Sequence, residues 1–467
     1  MQRMKGVDAG FLYMETPTMH MHTVKVTILE RTGGFDFDVF LEKVVARLDK
    51  LPPFHKRALM DPLHINHPLW IADKDIDPAR HIFRVAVPSP GGMAELEKMV
   101  GQIISVPLDR SVPLWEMHVC EGLEHGRVAV IAKIHHSVAD GNAANNLLGN
   151  ATAGSGPSGP VPELERTPTG RELLQAALVD GFKQAFLLPA LVWRTIAAMV
   201  DLVKITKTSA ITPPRPILDA PRTSFNGPLG SRRNFATTTL SFDEIRAAKS
   251  AHGVTVNDMV LGVVSGALRR WMAARGERPA SSLTAGVPVG TDAPSGVPRL
   301  EGNRVSNMFT TLATDVEDPR ERLLTISKVT AAAKVSHEAT GPDMLRDWTE
   351  YTPPGIFAAG MRLYSRLRAA SWHPAPFNVV VSNVAGPRDE LQLGDFRLVD
   401  LFSVGPILEG IGLNVTAWSY QNRMNFSVMS CPDLVPDLGP LIAEFAPALQ
   451  ELIDSAPNSS ATTKETA

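Results

Sequence analysis

The chain has 467 residues, 44% hydrophobic and 20% charged, an ordinary globular composition long enough to bury a large core. A formal net charge of -3 gives no electrostatic basis for binding nucleic acid and little for an anionic membrane. Only two cysteines, Cys120 and Cys431, occur, far apart, which excludes a disulfide scaffold and points to a reducing cytosol.

The opening MQRMKGVDAGFLYMETP has early basic residues but no apolar run of the kind a secretory signal needs. Val24–Leu29 reads as a strand, and residues 37–48 and 93–104 have the apolar spacing of helices. Residues 127–134 form a short β-rich run that leads into His135 and His136. Alternating β and α segments imply an α/β architecture, with 1–150 as a first lobe. Residues 151–170 are rich in Gly, Pro, Ser and Thr and read as a flexible loop. The G-x-G-x-x-G from Gly154 to Gly159 lies inside it, with no strand before and no helix after, so it reads as chance composition.

Residues 171–208 are helical and strongly apolar, interrupted by Asp180, Lys183, Pro189, Arg194 and Asp201. The uninterrupted apolar stretch falls short of the roughly 20 residues needed to span a bilayer. Two readings stand open: a pair of helices packed on the core, or a helical patch resting on a lipid surface. Prolines at 213–221 close this crossover, so that 151–221 joins the first lobe to a second, 222–455. In that lobe Ser241 and Glu244 have capping-box spacing, and an apolar stripe from Val256 to Met272 demands a core. Residues 376–383 and 425–429 read as buried strands, and the polar tail 456–467 as disordered.

The chemistry concentrates in His135-His136-Ser137-Val138-Ala139-Asp140-Gly141. Consecutive strand residues point to opposite faces, so only one of the two histidines faces a given cleft. An imidazole of ordinary pKa near 6.5 can take a proton from an alcohol at neutral pH. Asp140, where strand gives way to helix, is placed to cap that helix or to pair with an arginine; Gly141 suits a tight turn. Adjacent histidines at a strand end make a poor facial pair for a metal, and no metal is expected.

Upstream stand Pro107-Leu108-Asp109-Arg110 and Pro113-Leu114-Trp115-Glu116. With these residues the sequence resembles the bacterial wax ester synthase/diacylglycerol acyltransferase family, in which a PLW motif, a short strand and HHxxxDG follow in order. The likeness extends to Asp8, Phe11, Glu15, Met21 and His22 in the opening, to 226–233, to Val256-Asn257-Asp258, to Gly302-Asn303 and to Ser382-Asn383-Val384-Ala385-Gly386-Pro387. One run departs: Pro288-Val289-Gly290-Thr291-Asp292 stands where the family often has PVS-x-R, which bears on substrate preference more than on catalysis. Ala385 likewise stands where proline is common.

The resemblance implies a chloramphenicol-acetyltransferase-like α/β fold, two similar lobes with a tunnel between them and the histidine at its middle. It makes His136 the base, His135 its supporting neighbour, and Asp140 with Gly141 the keepers of the motif's shape. Asn257, Ser382, Asn383 and Glu15 become site-lining or oxyanion candidates, and Pro113, Leu114 and Trp115 candidates for the acyl or CoA tunnel. The implied reaction is direct transfer of a long acyl chain from acyl-CoA, a co-substrate with no further cofactor, to a hydrophobic alcohol. Diacylglycerol is the first choice of acceptor and fatty alcohol the second. A carrier-protein-dependent condensation enzyme and a non-catalytic lipid-binding protein are the alternatives. The expected location is cytoplasmic, with peripheral contact to a membrane or lipid-droplet surface.

Overall fold

Two six-stranded sheets, each covered by helices, organise the computed structural model. It describes all residues except 1, 32, 73–75, 154–165, 209–210, 212, 216–218, 293–298, 341–343 and 458–467. The Gly154–Gly159 pattern, most of the expected loop and nearly all of the tail lie outside the described residues.

In chain order, β1 (Gln2–Arg3) and α1 (Gly6–Met14) lead to β2 (His22–Arg31) and α2 (Phe37–Val45). There follow β3 (Lys56–Leu59), β4 (Leu69–Ala72), β5 (Ile82–Ala86), α3 (Met93–Ile104), β6 (Trp115–Glu121), β7 (Val128–His135) and α4 (Gly141–Ala153). After α5 (Gly170–Thr208) come β8 (Asn234–Ser241), α6 (Phe242–His252), α7 (Val256–Ala274), β9 (Thr284–Gly290), β10 (Val305–Thr311), α8 (Pro319–Thr340), α9 (Met344–Thr349) and α10 (Pro354–Arg366). The chain ends with β11 (Val379–Val384), β12 (Gln392–Leu393), β13 (Phe396–Val404), β14 (Leu413–Tyr420), β15 (Arg423–Ser430), α11 (Gly439–Ile442) and α12 (Phe445–Asp454).

The first sheet runs β12-β13-β2-β7-β6-β5 and the second β10-β9-β11-β14-β15-β8, with a small third sheet β1-β4-β3. This corrects the expected lobe boundaries. From the second lobe's stretch of sequence, β13 pairs onto β2 and β12 pairs onto β13, completing the first lobe's sheet. The two lobes are therefore tied by backbone hydrogen bonds as well as by packing.

Strand periodicity sorts the side chains. Val24, Val26 and Ile28 of β2 are buried with Leu96, Val100 and Ile104 of α3. Their neighbours Lys25, Thr27 and Leu29 face the other side of the sheet, toward α2 and α4. In the second lobe, the stripe on α7 is buried as its spacing requires. Thr255 caps that helix by accepting from Asp258 N, and the Asp258 carboxylate accepts from Thr255 N at 2.9 Å. Ser241 accepts from Glu244 N in the same way on α6.

The crossover segment also needs a correction. It is one 39-residue helix, α5, not a pair, and Pro189 sits inside it. By length and composition alone, Gly170–Met199 is long and apolar enough to cross a membrane, although the interruptions argued otherwise. Its inner face is docked: Leu173, Ala177 and Leu191 are buried, Asp180 pairs with Arg3 at 2.7 Å, and Trp348 Nε1 donates to Thr195 Oγ1 at 2.9 Å. Its outer face is not. Val179, Phe182, Phe186, Trp193 and Ile196 recur at near-helical spacing and are exposed, Phe182 by 69% and Trp193 by 72%.

Candidate active site

β7 delivers the two histidines to its C-terminal end, and the pleat turns them to opposite sides. His135 is fully buried. Its Nδ1 accepts from Ser137 N at 3.1 Å and lies 2.8 Å from Ser137 Oγ, which leaves the ring proton on Nε2. Nε2 faces the Glu15 carboxylate at 3.7 Å. Glu15 also lies 3.5 Å from His22 Nε2 and accepts from Arg110 Nε at 3.0 Å. Burial would push the Glu15 carboxyl up, but the facing imidazoles of His135 and His22, with the charge of Arg110, hold it well below the usual carboxylate range. Burial keeps His135 neutral by lowering its pKa. Glu15 therefore belongs to the shell behind His135, not beside His136.

His136 is half-buried, and its ring stacks on Phe11 with centroids 4.2 Å apart. Its Nδ1 lies 2.9 Å from Asn303 Oδ1. Asn303 is itself fixed, because its Nδ2 donates to Asp8 Oδ1 at 2.8 Å and to the His136 carbonyl at 2.7 Å, while its backbone N donates to Asp8 Oδ1 at 2.8 Å. With both amide hydrogens spent, Oδ1 can only accept, so His136 Nδ1 carries the proton and Nε2 keeps its lone pair. Burial also lowers the His136 pKa, which favours the neutral ring. Burial raises Asp8 to about 7 against the opposing hydrogen bonds from Asn303. Gly302 adopts φ 73°, and a Cβ there would lie 3.2 Å from Asp8 Oδ2.

Asp140 makes both contacts that its position allowed. Its Oδ1 caps α4 by accepting from Ala143 N at 2.9 Å. Its Oδ2 accepts from Arg299 Nη2 at 2.6 Å and from Arg304 N at 2.8 Å. Arg299 also binds Asp292 through Nε at 2.8 Å, and Asn142 donates to Asp292 at 3.2 Å. The departing run therefore serves this network: Asp292 holds Arg299, and a Cβ at Gly290 would come within 2.7 Å of Asn142 Nδ2. Gly302 N donates to Val138 O at 2.7 Å, which staples the segment to the motif. Gly141 opens α4 without positive φ, contrary to the tight-turn reading; a Cβ there would touch Val384 at 3.4 Å.

That contact brings β11 to the motif. Val379 and Val381 face the second lobe's core, so Ser382 and Val384 share the opposite face, toward the first lobe, and Asn383 does not. Asn257 lies half-buried in the first turn of α7; among the described residues no hydrogen bond joins it to the histidine motif. The PLW residues require a correction. Leu114 and Trp115 are core, and Pro113 is buried beside them. Trp115 is sandwiched between Phe54 at 4.8 Å and His81 at 4.3 Å, and its Nε1 donates to Phe54 O. The motif acts as a buttress, since His135 N donates to Leu114 O at 3.0 Å. Among the described residues, no cluster of three or more His, Cys, Asp or Glu could hold a metal ion.

Family models of the wax ester synthase/diacylglycerol acyltransferase catalytic domain and of the WS/DGAT C-terminal domain match residues 4–260 and 301–453. Two Mycobacterium tuberculosis proteins named "Putative diacyglycerol O-acyltransferase" are 35% and 37% identical, over 97% and 94% of this chain and 90% and 92% of their own lengths. The wax ester synthase/diacylglycerol acyltransferase from Marinobacter aquaeolei VT8 superposes with TM-score 0.69 at 25% identity, covering 98% of this chain and 100% of that one. The first condensation domain of the CDA synthetase, at 14% identity and TM-score 0.59 over 100% and 98% of the two chains, shares the two-lobed α/β fold. This chain belongs to the wax ester synthase/diacylglycerol acyltransferase family.

Proposed function

We propose that the chain transfers a long acyl group from acyl-CoA to a hydrophobic alcohol, diacylglycerol first and fatty alcohol second, with His136 Nε2 as general base. The family and its named relatives support the reaction class. The observation that carries the residue assignment is the fixed tautomer, since Asn303 accepts the Nδ1 proton and leaves Nε2 free. Nε2 takes the hydroxyl proton as the alcohol oxygen attacks the thioester carbonyl. The tetrahedral oxyanion collapses, expels the CoA thiolate, and the imidazolium returns the proton to sulfur. The products are an ester and free CoA, and no acyl-enzyme forms. Ser382, on the β11 face turned toward the motif, is the better oxyanion candidate; Asn257 and Asn383 have no comparable placement. Thiol release from palmitoyl-CoA, measured with dioleoylglycerol, hexadecanol and a short polar alcohol, tests this reading. A short polar alcohol with the highest kcat/KM would overturn the acceptor assignment.

We also propose a cytoplasmic protein that rests peripherally on a membrane or lipid-droplet surface through the outer face of α5. The docked inner face and the exposed Phe182, Phe186 and Trp193 support a helix lying on a lipid surface.

A further inference from the structure

From Tyr351 to Arg388 the sequence has four arginines and no Asp or Glu, a local excess of positive charge that the net charge of -3 conceals. Three of them, Arg362, Arg366 and Arg368, lie on α10 or just beyond its end. All three are exposed, and among the described residues none has a carboxylate partner. Arg194 on α5, by contrast, is paired with Asp347.

Along α10, Ile356, Leu363 and Leu367 recur at i, i+7 and i+11 as one stripe, and the stripe faces solvent, Ile356 by 76%. Arg362 and Arg366 each precede a stripe leucine by one residue, so they form a second row beside it. Trp372, 67% exposed, follows the helix. The other side of α10 is docked: Ala358 and Met361 pack on buried cores, and Ser365 Oγ lies 2.5 Å from Thr18 Oγ1.

This face continues toward α5 through the turn before β4. The buried Asp61 carboxylate accepts from the backbone N of Leu63, Ile65 and Asn66 at 3.0–3.1 Å, which fixes the turn with Leu63 and Ile65 exposed. On one side Asn66 Nδ2 donates to Ala177 O of α5 at 3.0 Å; on the other, Gly355 N of α10 donates to His64 O at 3.1 Å. Exposed apolar side chains of α5, the turn and α10 are thus carried on one braced framework, with the unpaired arginines at its α10 end.

Resting on the peripheral reading of α5, we infer that α10 is a second lipid-contacting element and that it selects anionic headgroups. Ile356, Leu363, Leu367 and Trp372 enter the acyl boundary, where tryptophan is favoured. Arg362, Arg366 and Arg368 bury their stems against it and hold their guanidinium groups at the phosphates. Charge complementarity names the occupant: an apolar ridge edged by unpaired cations, with no carboxylate along the segment, suits an anionic membrane surface.

The test is flotation of the full chain with vesicles of phosphatidylcholine alone and of phosphatidylcholine with phosphatidylglycerol, with melting as the check on folding. The wild type should prefer the anionic vesicles by on the order of 100-fold, about fivefold for each of three arginines, and 1 M salt should remove most of the preference. Arg362→Gln/Arg366→Gln/Arg368→Gln should lose the preference, and the corresponding triple lysine variant should keep it. Arg366→Gln alone should lower it about fivefold and serves if the triple variant does not fold. Phe182→Ser/Phe186→Ser/Trp193→Ser should weaken flotation with both vesicle types and leave the preference intact. Equal flotation of the wild type with both vesicle types, or an undiminished preference in the folded glutamine variant, would overturn the assignment to α10 while leaving that of α5. A wild type that floats with neither would strike the peripheral reading as well. Self-association lost on Leu363→Ser/Leu367→Ser/Trp372→Ser, without vesicle binding, would make this face a protein interface and overturn the proposal.

Discussion

Asn303 Oδ1 meets His136 Nδ1 at 2.9 Å, and the same amide's nitrogen is spent on Asp8 and on the His136 carbonyl. Residues 167 positions apart thus fix which ring nitrogen is free. Asn303→Leu removes the acceptor and leaves the Asp8 carboxyl without its amide partner. The expected result is a kcat at least about tenfold lower with KM near the wild-type value, because tautomer control acts on the base and not on binding. A KM effect alone would show that Asn303 shapes the binding surface instead.

Asp140 is predicted to be structural. Asp140→Ala uncaps α4 and frees Arg299, with a combined cost of about 2–4 kcal/mol. Asp292 remains on Arg299, which keeps the loss below that of a fully orphaned buried charge. Thermal melting should therefore drop by several degrees before activity is considered. A variant of wild-type stability with no activity would make Asp140 a participant in the chemistry.

Asp8 gives a signed pH dependence. Its carboxyl, at about 7 in the fold against 3.8 as its ordinary value, binds a proton more readily folded than unfolded. The fold therefore carries no cost from this charge below about pH 4, and the cost grows as pH rises, reaching its full size above about 7. Asp8→Asn should gain stability relative to the wild type across that window, by at most about 4 kcal/mol. Denaturant unfolding of both proteins at several pH values measures it, and a difference independent of pH would contradict the raised value.

The outer face of α5 should govern attachment to lipid. Phe182, Phe186 and Trp193 replaced together by Ser should reduce flotation with phosphatidylcholine vesicles while melting stays near wild type. Leu191, only 4% exposed, lies on the docked face, so Leu191→Glu should instead destabilise the fold. Unchanged flotation of the triple variant would remove the helix from lipid binding.

Local signals carried much of this into view. Strand alternation separated the two histidines, and the position of Asp140 before a helix foresaw its cap, which depends on neighbours in sequence, whereas the arginine it pairs with, Arg299, comes from 159 positions away. The Asp8–Asn303 contact spans 295 positions. Both residues were visible only as letters of a likeness, and no periodicity marks which polar side chains will meet. Trp115 was misplaced because an aromatic beside a catalytic strand looks the same whether it lines a tunnel or fills a core; its stacking on Phe54 and His81 decides. The return of β13 to the first sheet was equally hidden, because pairing with β2 leaves no mark in either strand's own sequence. The single helix α5 was divided in prospect because Pro189 and scattered charges looked like breaks.

The central claim is that His136 removes the proton from the acceptor alcohol. It is tested most directly by CoA thiol release from palmitoyl-CoA with dioleoylglycerol, in the wild type and in folded His136→Ala, across the acid-to-neutral pH range. The variant should lose at least ~100-fold in kcat. The wild-type kcat/KM should hold as pH falls below 6.5 and decline only in the more acid range, because burial lowers the pKa of the base and activity is lost only as the ring gains its proton. Near-normal turnover by His136→Ala would contradict the account.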